Sequence, residues 1–134
     1  MRPTLVEDIM SRGVLSIREG DTVHFGQIGM ELAEIRHMPV LDAEGKLTGV
    51  VALSDLVRAM QQAHGLPIAV RTIMTRDVKC VSAKSTAAEA VHLLLEHKIG
   101  CLPVIDEREN VIGIVTETDF LRVAEAALSG GRAW

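Results

Sequence analysis

The chain has 134 residues and a mass of 14.5 kDa, enough for one compact domain whose core buries roughly two-thirds of the unfolded surface without disulfide staples. Its net charge of −4 and pI of about 5.7 come with scattered rather than clustered basic residues, which argues against a nucleic-acid-binding surface. No stretch approaches the roughly 20 apolar residues of a membrane span, and MRPTLVEDIM has acidic residues where a signal peptide would be apolar, so a soluble, cytoplasmic protein with no membrane partner is expected.

From the N-terminus, an opening helical turn in DIMSRGV (8–14) leads to a predicted strand over 14–17. Asp21-Thr22 marks the start of a helix carrying Gly26 and Gly29 in its middle, each costing about 1 kcal/mol relative to alanine. Close approach of a helix across a subunit boundary would account for them, as would packing within the chain or a weak helix. The apolar runs MPVL (38–41) and GVVAL (49–53), separated by the polar turn DAEGK, form a hairpin signature. The helix LSDLVRAMQQA (53–63) follows, and HGLPIA (64–69), with Gly65 and Pro67, is a junction.

The same order then recurs. TIMTRDV (72–78) precedes a predicted strand over 78–81, and Ser85-Thr86 marks a helix in which Ala87, Ala90, Val91, Leu94, Leu95 and Ile99 line one buried face. LPVI (102–105) and GIVT (113–116) flank the turn DEREN, and TETDFLRVAEAA (116–127) closes the pattern. Sliding the chain 64 positions along itself aligns the two halves without a gap and pairs identical residues: Met10 with Met74, Pro39 with Pro103, Gly49 with Gly113, Asp55 with Asp119, Arg58 with Arg122 and others. The repeats are placed at 1–64 and 65–134. Each reads β-α-β-β-α, and a fused pair predicts an α/β fold of the α+β kind, with sheets packed face to face and helices outside. With only 2% aromatic residues (Phe25, Phe120 and Trp134), the core is expected to be aliphatic.

A tandem repeat with GCLPVID (100–106) before a hairpin and GIVTETD (113–119) after it resembles the cystathionine β-synthase (CBS) domain family; HMPVLD and GVVALSD match the pattern less fully. The resemblance spans nearly the whole chain. It implies a pseudo-twofold CBS pair with two clefts between repeats that bind adenosyl nucleotides, used in energy or metabolite sensing.

Thr116 and Asp119, taken without the family, form a capping box: the hydroxyl accepts from the backbone amide three residues on, and the carboxylate reaches back to the threonine amide. The same helix start favours an anion, and a carboxylate can accept both hydroxyls of a ribose. The resemblance implies that Asp119 holds the ribose and Thr116 the phosphate side, with Thr118 assisting. Val81 and Cys101-Leu102-Pro103 are the candidates for an aliphatic adenine slot, in which carbonyls beside Pro103 would meet an exocyclic amine; a buried edge strand is the compatible alternative. The first repeat departs from the motif, with Ala52 and Leu53 where the second has Thr116 and Glu117. Its weaker cleft (His37, Met38, Pro39, Ser54 and Asp55) is left to be empty, to take a smaller adenosyl ligand, or to use His37 for charge.

Cys80 and Cys101 form neither a CxxC pair nor a disulfide framework, and none of the histidines at 24, 37, 64, 92 and 97 is expected to pair with a second ligand at i, i+4 on one helix, so no metal is expected. No nucleophile and base pair stands out, and no catalytic residues are assigned. The expected function is a ligand-sensing regulatory module for AMP, ADP, ATP or S-adenosylmethionine, with no required cofactor. A dimerisation scaffold with decayed sites is the alternative. Homodimerisation is expected through the helix starting near Thr86 and the one running from Asp119 through Leu128, and the regulated protein is expected to be a separate chain. Phosphate number would depend on where Arg12, Arg76, His97, Lys98 and Arg122 point.

Overall fold

The computed structural model describes residues 2–130; Trp134 lies outside them. The elements run α1 (Val6–Ile9), β1 (Ile17–Arg18), α2 (Val23–Ala33), β2 (His37–Leu41), β3 (Leu47–Ala52), α3 (Leu53–Ala63), a 3₁₀ turn (Val70–Thr72), α4 (Ala87–His97), β4 (Cys101–Ile105), β5 (Val111–Thr116) and α5 (Glu117–Leu128). The mixed α/β architecture is as read from the sequence. Thr22 and Thr86 cap their helices, accepting from the amides of Phe25 (3.2 Å) and Glu89 (3.1 Å).

The first strands are shorter than predicted. In place of a strand over 14–17, only Ile17 and Arg18 pair, in parallel with Val40 and Leu41; in place of one over 78–81, a single bridge joins Val81 to Val104. The residues lost are the first of each predicted strand, and polar side chains close the ladders at the other end. Asp21 accepts from the Arg18 amide at 2.9 Å, and the Ser85 hydroxyl accepts from the Ser82 amide at 3.1 Å.

The chain divides into two compact units, one of Val14–Val78 with Glu107–Val111, the other of Lys79–Asp106 with the segments up to Gly13 and from Ile112 onward. Opening segments are thus exchanged between the repeats. In the first unit Thr75 bridges Val50, and a Cβ built on Gly49 would lie 2.6 Å from Met74 Sδ and 2.9 Å from the Thr75 carbonyl. In the second, Ser11 bridges Ile114, and a Cβ on Gly113 would lie 2.6 Å from Met10 Sδ. Only glycine lets the two backbones approach so closely.

The cores repeat at the same offset. Ile17, Met30, Met38, Val40, Val51, Val70 and Met74 form one, and Val81, Leu94, Leu102, Val104, Val115, Val6 and Met10 the other. Gly26 packs within its own unit, because an added Cβ would lie 3.0 Å from Ile17 Cδ1 and 3.1 Å from Leu56 Cδ1. Gly29 has nothing within 4 Å of such an atom, so no helix among the described residues approaches it. Leu95, read as part of the buried face of α4, is 73% exposed: Ala90 and Leu94 carry that face, and Leu95 lies one helical step beyond it.

Candidate functional site

The second repeat brings its candidate residues together within one unit. β4 and the start of α5 are tied by the Glu117 amide, which donates to the Gly100 carbonyl at 3.1 Å. This places the end of β5 and the first turn of α5 beside Cys101. The first repeat has the same tie, from the Leu53 amide to the Arg36 carbonyl at 2.8 Å. The backbone frame of the site is therefore duplicated.

Asp119 is the one residue of α5 that is buried, at 9% exposure. Its Oδ2 accepts from the Thr116 amide at 2.8 Å, the carboxylate half of the expected capping box. The Thr116 hydroxyl donates to the same oxygen at 3.3 Å. Oδ1 has no hydrogen-bond partner among the described residues, so half the accepting capacity of this carboxylate is open. Thr116 is half-buried and Thr118 exposed, both at a helix start that favours anions.

The apolar candidates lie in the wall of the core. Leu102 and Pro103 are fully buried, and Val81 and Cys101 are 7% and 4% exposed. The Pro103 carbonyl already accepts from the Val81 amide at 3.1 Å. Burial pushes the Cys101 thiol up to about 12, so it stays a neutral packing group.

In the first repeat the same frame carries different chemistry. Met38 and Pro39 are buried, His37 and Asp55 half-buried and Ser54 exposed. Ala52 stands at the helix cap with no side chain to bond, and the Asp55 carboxylate pairs with Arg58 Nη1 at 3.2 Å. The sequence reading missed this i, i+3 pair, although its spacing was a legible signal. His92 likewise does have a partner at i, i+4, against expectation: its Nε2 lies 3.0 Å from Glu96 Oε2, with both side chains exposed. Among the described residues no group of three or more His, Cys, Asp or Glu side chains is placed to hold a metal ion. Arg12, Arg76, His97, Lys98 and Arg122 are all exposed. No helix among the described residues is long and apolar enough to cross a membrane.

The chain resembles a homoserine O-acetyltransferase of Methanosarcina acetivorans, at 34% identity over 84% of this chain and 20% of that protein. It is 30% identical to an inosine-5′-monophosphate dehydrogenase of Methanocaldococcus jannaschii over 87% of this chain and 23% of that protein, so it spans about a fifth to a quarter of these relatives. Among solved structures, the CBS domain pair of protein MJ0100 in complex with 5′-methylthioadenosine and S-adenosyl-L-methionine superposes with a TM-score of 0.86, at 26% identity, covering 94% of this chain and 99% of that one. CBSX2 in complex with AMP gives a TM-score of 0.78 at 27% identity, covering 96% and 99%. The CBS domain profile matches residues 6–62 and 70–126, and the chain belongs to the CBS domain family.

Proposed function

We propose that the chain is a regulatory, non-catalytic module that binds an adenosyl nucleotide at the start of α5 and changes conformation or partner binding in response. The observation that carries this reading is Asp119, buried at a helix start with one carboxylate oxygen committed to Thr116 and the other open. An open, acceptor-only oxygen suits a vicinal diol, and the amides and hydroxyls of Thr116 and Thr118 suit an anionic group. Val81 and Cys101, at the edge of the core, face the adenine end, backed by the fully buried Leu102 and Pro103, and the solved relatives that hold S-adenosyl-L-methionine and AMP support the ligand class.

For the first repeat the scaffold reading is favoured, since Asp55 is engaged by Arg58 and no hydroxyl stands at Ala52. One tight site per chain is therefore expected. Melting curves with AMP, ADP, ATP and S-adenosylmethionine test the reading, because a ligand at 100 times its Kd stabilises by about 2.7 kcal/mol. No shift with any of the four overturns it in favour of a scaffold.

The module works in the cytoplasm as a homodimer. The support is α5, exposed from Leu121 through Leu128, with Leu121 at 68% and Leu128 at 88%, and Leu95 of α4. A monomeric mass by light scattering at micromolar concentration overturns the dimer.

A further inference from the structure

The two hydrogen bonds that Thr116 makes to Asp119 differ in quality. The amide bond, at 2.8 Å, is short and part of the helix cap; the hydroxyl bond, at 3.3 Å, is beyond the usual O–H···O range. Together they use both accepting positions of Oδ2, leaving only Oδ1 open. A vicinal diol is best held with one hydroxyl on each carboxylate oxygen, and the Thr116 hydroxyl occupies the position that the second would need.

That hydroxyl also sits on the cap residue of α5, where the first-turn amides attract an anion. The threonine hydroxyl hydrogen turns about the C–O bond toward one partner or the other without a change of side-chain rotamer. Both acceptors are anionic oxygens, so length decides: giving up the 3.3 Å bond to Oδ2 costs little when a shorter bond to an anion at the helix start replaces it.

We propose that Thr116 couples the two ends of the ligand. An anionic group at the helix start draws the hydroxyl away from Asp119, and the released Oδ2 accepts the second ribose hydroxyl. Phosphate and ribose recognition thereby reinforce each other through one side chain, and the site selects adenosyl ligands with a phosphate next to the ribose over the bare nucleoside. The first repeat has no such coupling, because Ala52 has no hydroxyl and Asp55 is turned to Arg58.

This inference rests on the nucleotide reading above, and its test separates the two. AMP and adenosine are titrated by calorimetry into the parent chain, Thr116→Val and Thr116→Ser. Thr116→Val keeps the β-branched shape and removes the hydroxyl; Thr116→Ser keeps the hydroxyl. Coupling predicts opposite signs for the Val variant: AMP binds about tenfold more weakly, while adenosine binds a few-fold more tightly because Oδ2 is no longer occupied. The Ser variant keeps the parent's preference for AMP. If Thr116→Val weakens both ligands equally, or leaves their ratio as in the parent, the coupling is wrong and Thr116 is a structural cap beside a genuine nucleotide site. If the parent binds neither ligand, the nucleotide reading fails and the coupling with it. A melting scan of each variant without ligand checks that the cap itself survives.

Discussion

Asp119→Asn separates ligand binding from helix capping at one atom. In the parent, Oδ2 takes the Thr116 amide at 2.8 Å and the Thr116 hydroxyl at 3.3 Å, and Oδ1 takes nothing among the described residues. The asparagine carbonyl can replace Oδ2 toward the Thr116 amide, which leaves its NH₂ group in the position of Oδ1. The folding cost is then the lost charge near a helix N-terminus, about 0.3 to 1 kcal/mol, plus the difference between a charged and a neutral acceptor, about 1 kcal/mol. A total of about 1 to 2 kcal/mol lowers the Tm of a chain of this length by roughly 3 to 10 °C. For a ribose the change is worse, because an acceptor has become a donor in a site that is largely buried. Hydrogen bonds to charged groups contribute about 1.5 to 3 kcal/mol, so AMP affinity should fall roughly tenfold to a hundredfold. Calorimetric titration at a temperature where both proteins are folded measures the second effect without the first. Parent-like affinity in a variant with lowered Tm would refute the ribose role and leave Asp119 a cap.

Other substitutions test the frame. Gly49→Ala places a Cβ 2.6 Å from Met74 Sδ and 2.9 Å from the Thr75 carbonyl and should destabilise by about 1 to 3 kcal/mol in urea titrations, whereas Gly29→Ala, open in mid-helix, should stabilise by about 0.5 to 1 kcal/mol. A loss at Gly29 would mean that a helix from a second copy closes on it. Cys101 is raised from 9.0 to about 12, so its contribution is intact below pH 9 and lost as the pH rises toward 12, because the unfolded thiol ionises first; stability of the parent should fall about 1.4 kcal/mol per pH unit more steeply than that of Cys101→Ala across this window. Ala52→Thr supplies the hydroxyl missing at the start of α3 and should raise stability by about 1 kcal/mol; no gain would show that the cap position tolerates alanine for packing reasons.

The sequence shows the repeat and the hairpins because both depend on local spacing, and an offset of 64 positions carries one core onto the other, with Met30 answering Leu94 and Val40 answering Val104. It does not show which hairpin each opening segment joins. Met10 and Met74 are identical, as are Gly49 and Gly113, so a methionine seated on either glycine satisfies the same pattern, and only the chain path brings Met10 to Gly113. The first strands were over-read because apolar runs such as Val14 to Ile17 look alike whether or not a ladder forms, and only Ile17 of this run meets a partner strand. At the site, the Thr-x-x-Asp spacing made the Thr116 amide to Asp119 bond legible, and the open Oδ1 was not, because it is set by burial and by the side-chain rotamer.

The two repeats provide an internal comparison of what the fold requires and what a ligand would require. Both helix starts are tied to the residue just before the first strand of their hairpin by the same amide-to-carbonyl bond, Leu53 to Arg36 and Glu117 to Gly100. Both carry an aspartate at the third helical position. If that aspartate were needed only to cap, Asp55 should reach back as Asp119 does; instead it pairs with Arg58 and is half-exposed, and α3 forms without it. The helix start is therefore stable with no carboxylate turned inward. Turning the Asp119 carboxylate inward at 9% exposure is therefore something folding does not demand, since the first repeat folds without it. Under the proposed function, the inward turn holds Oδ1 where it accepts from a ribose.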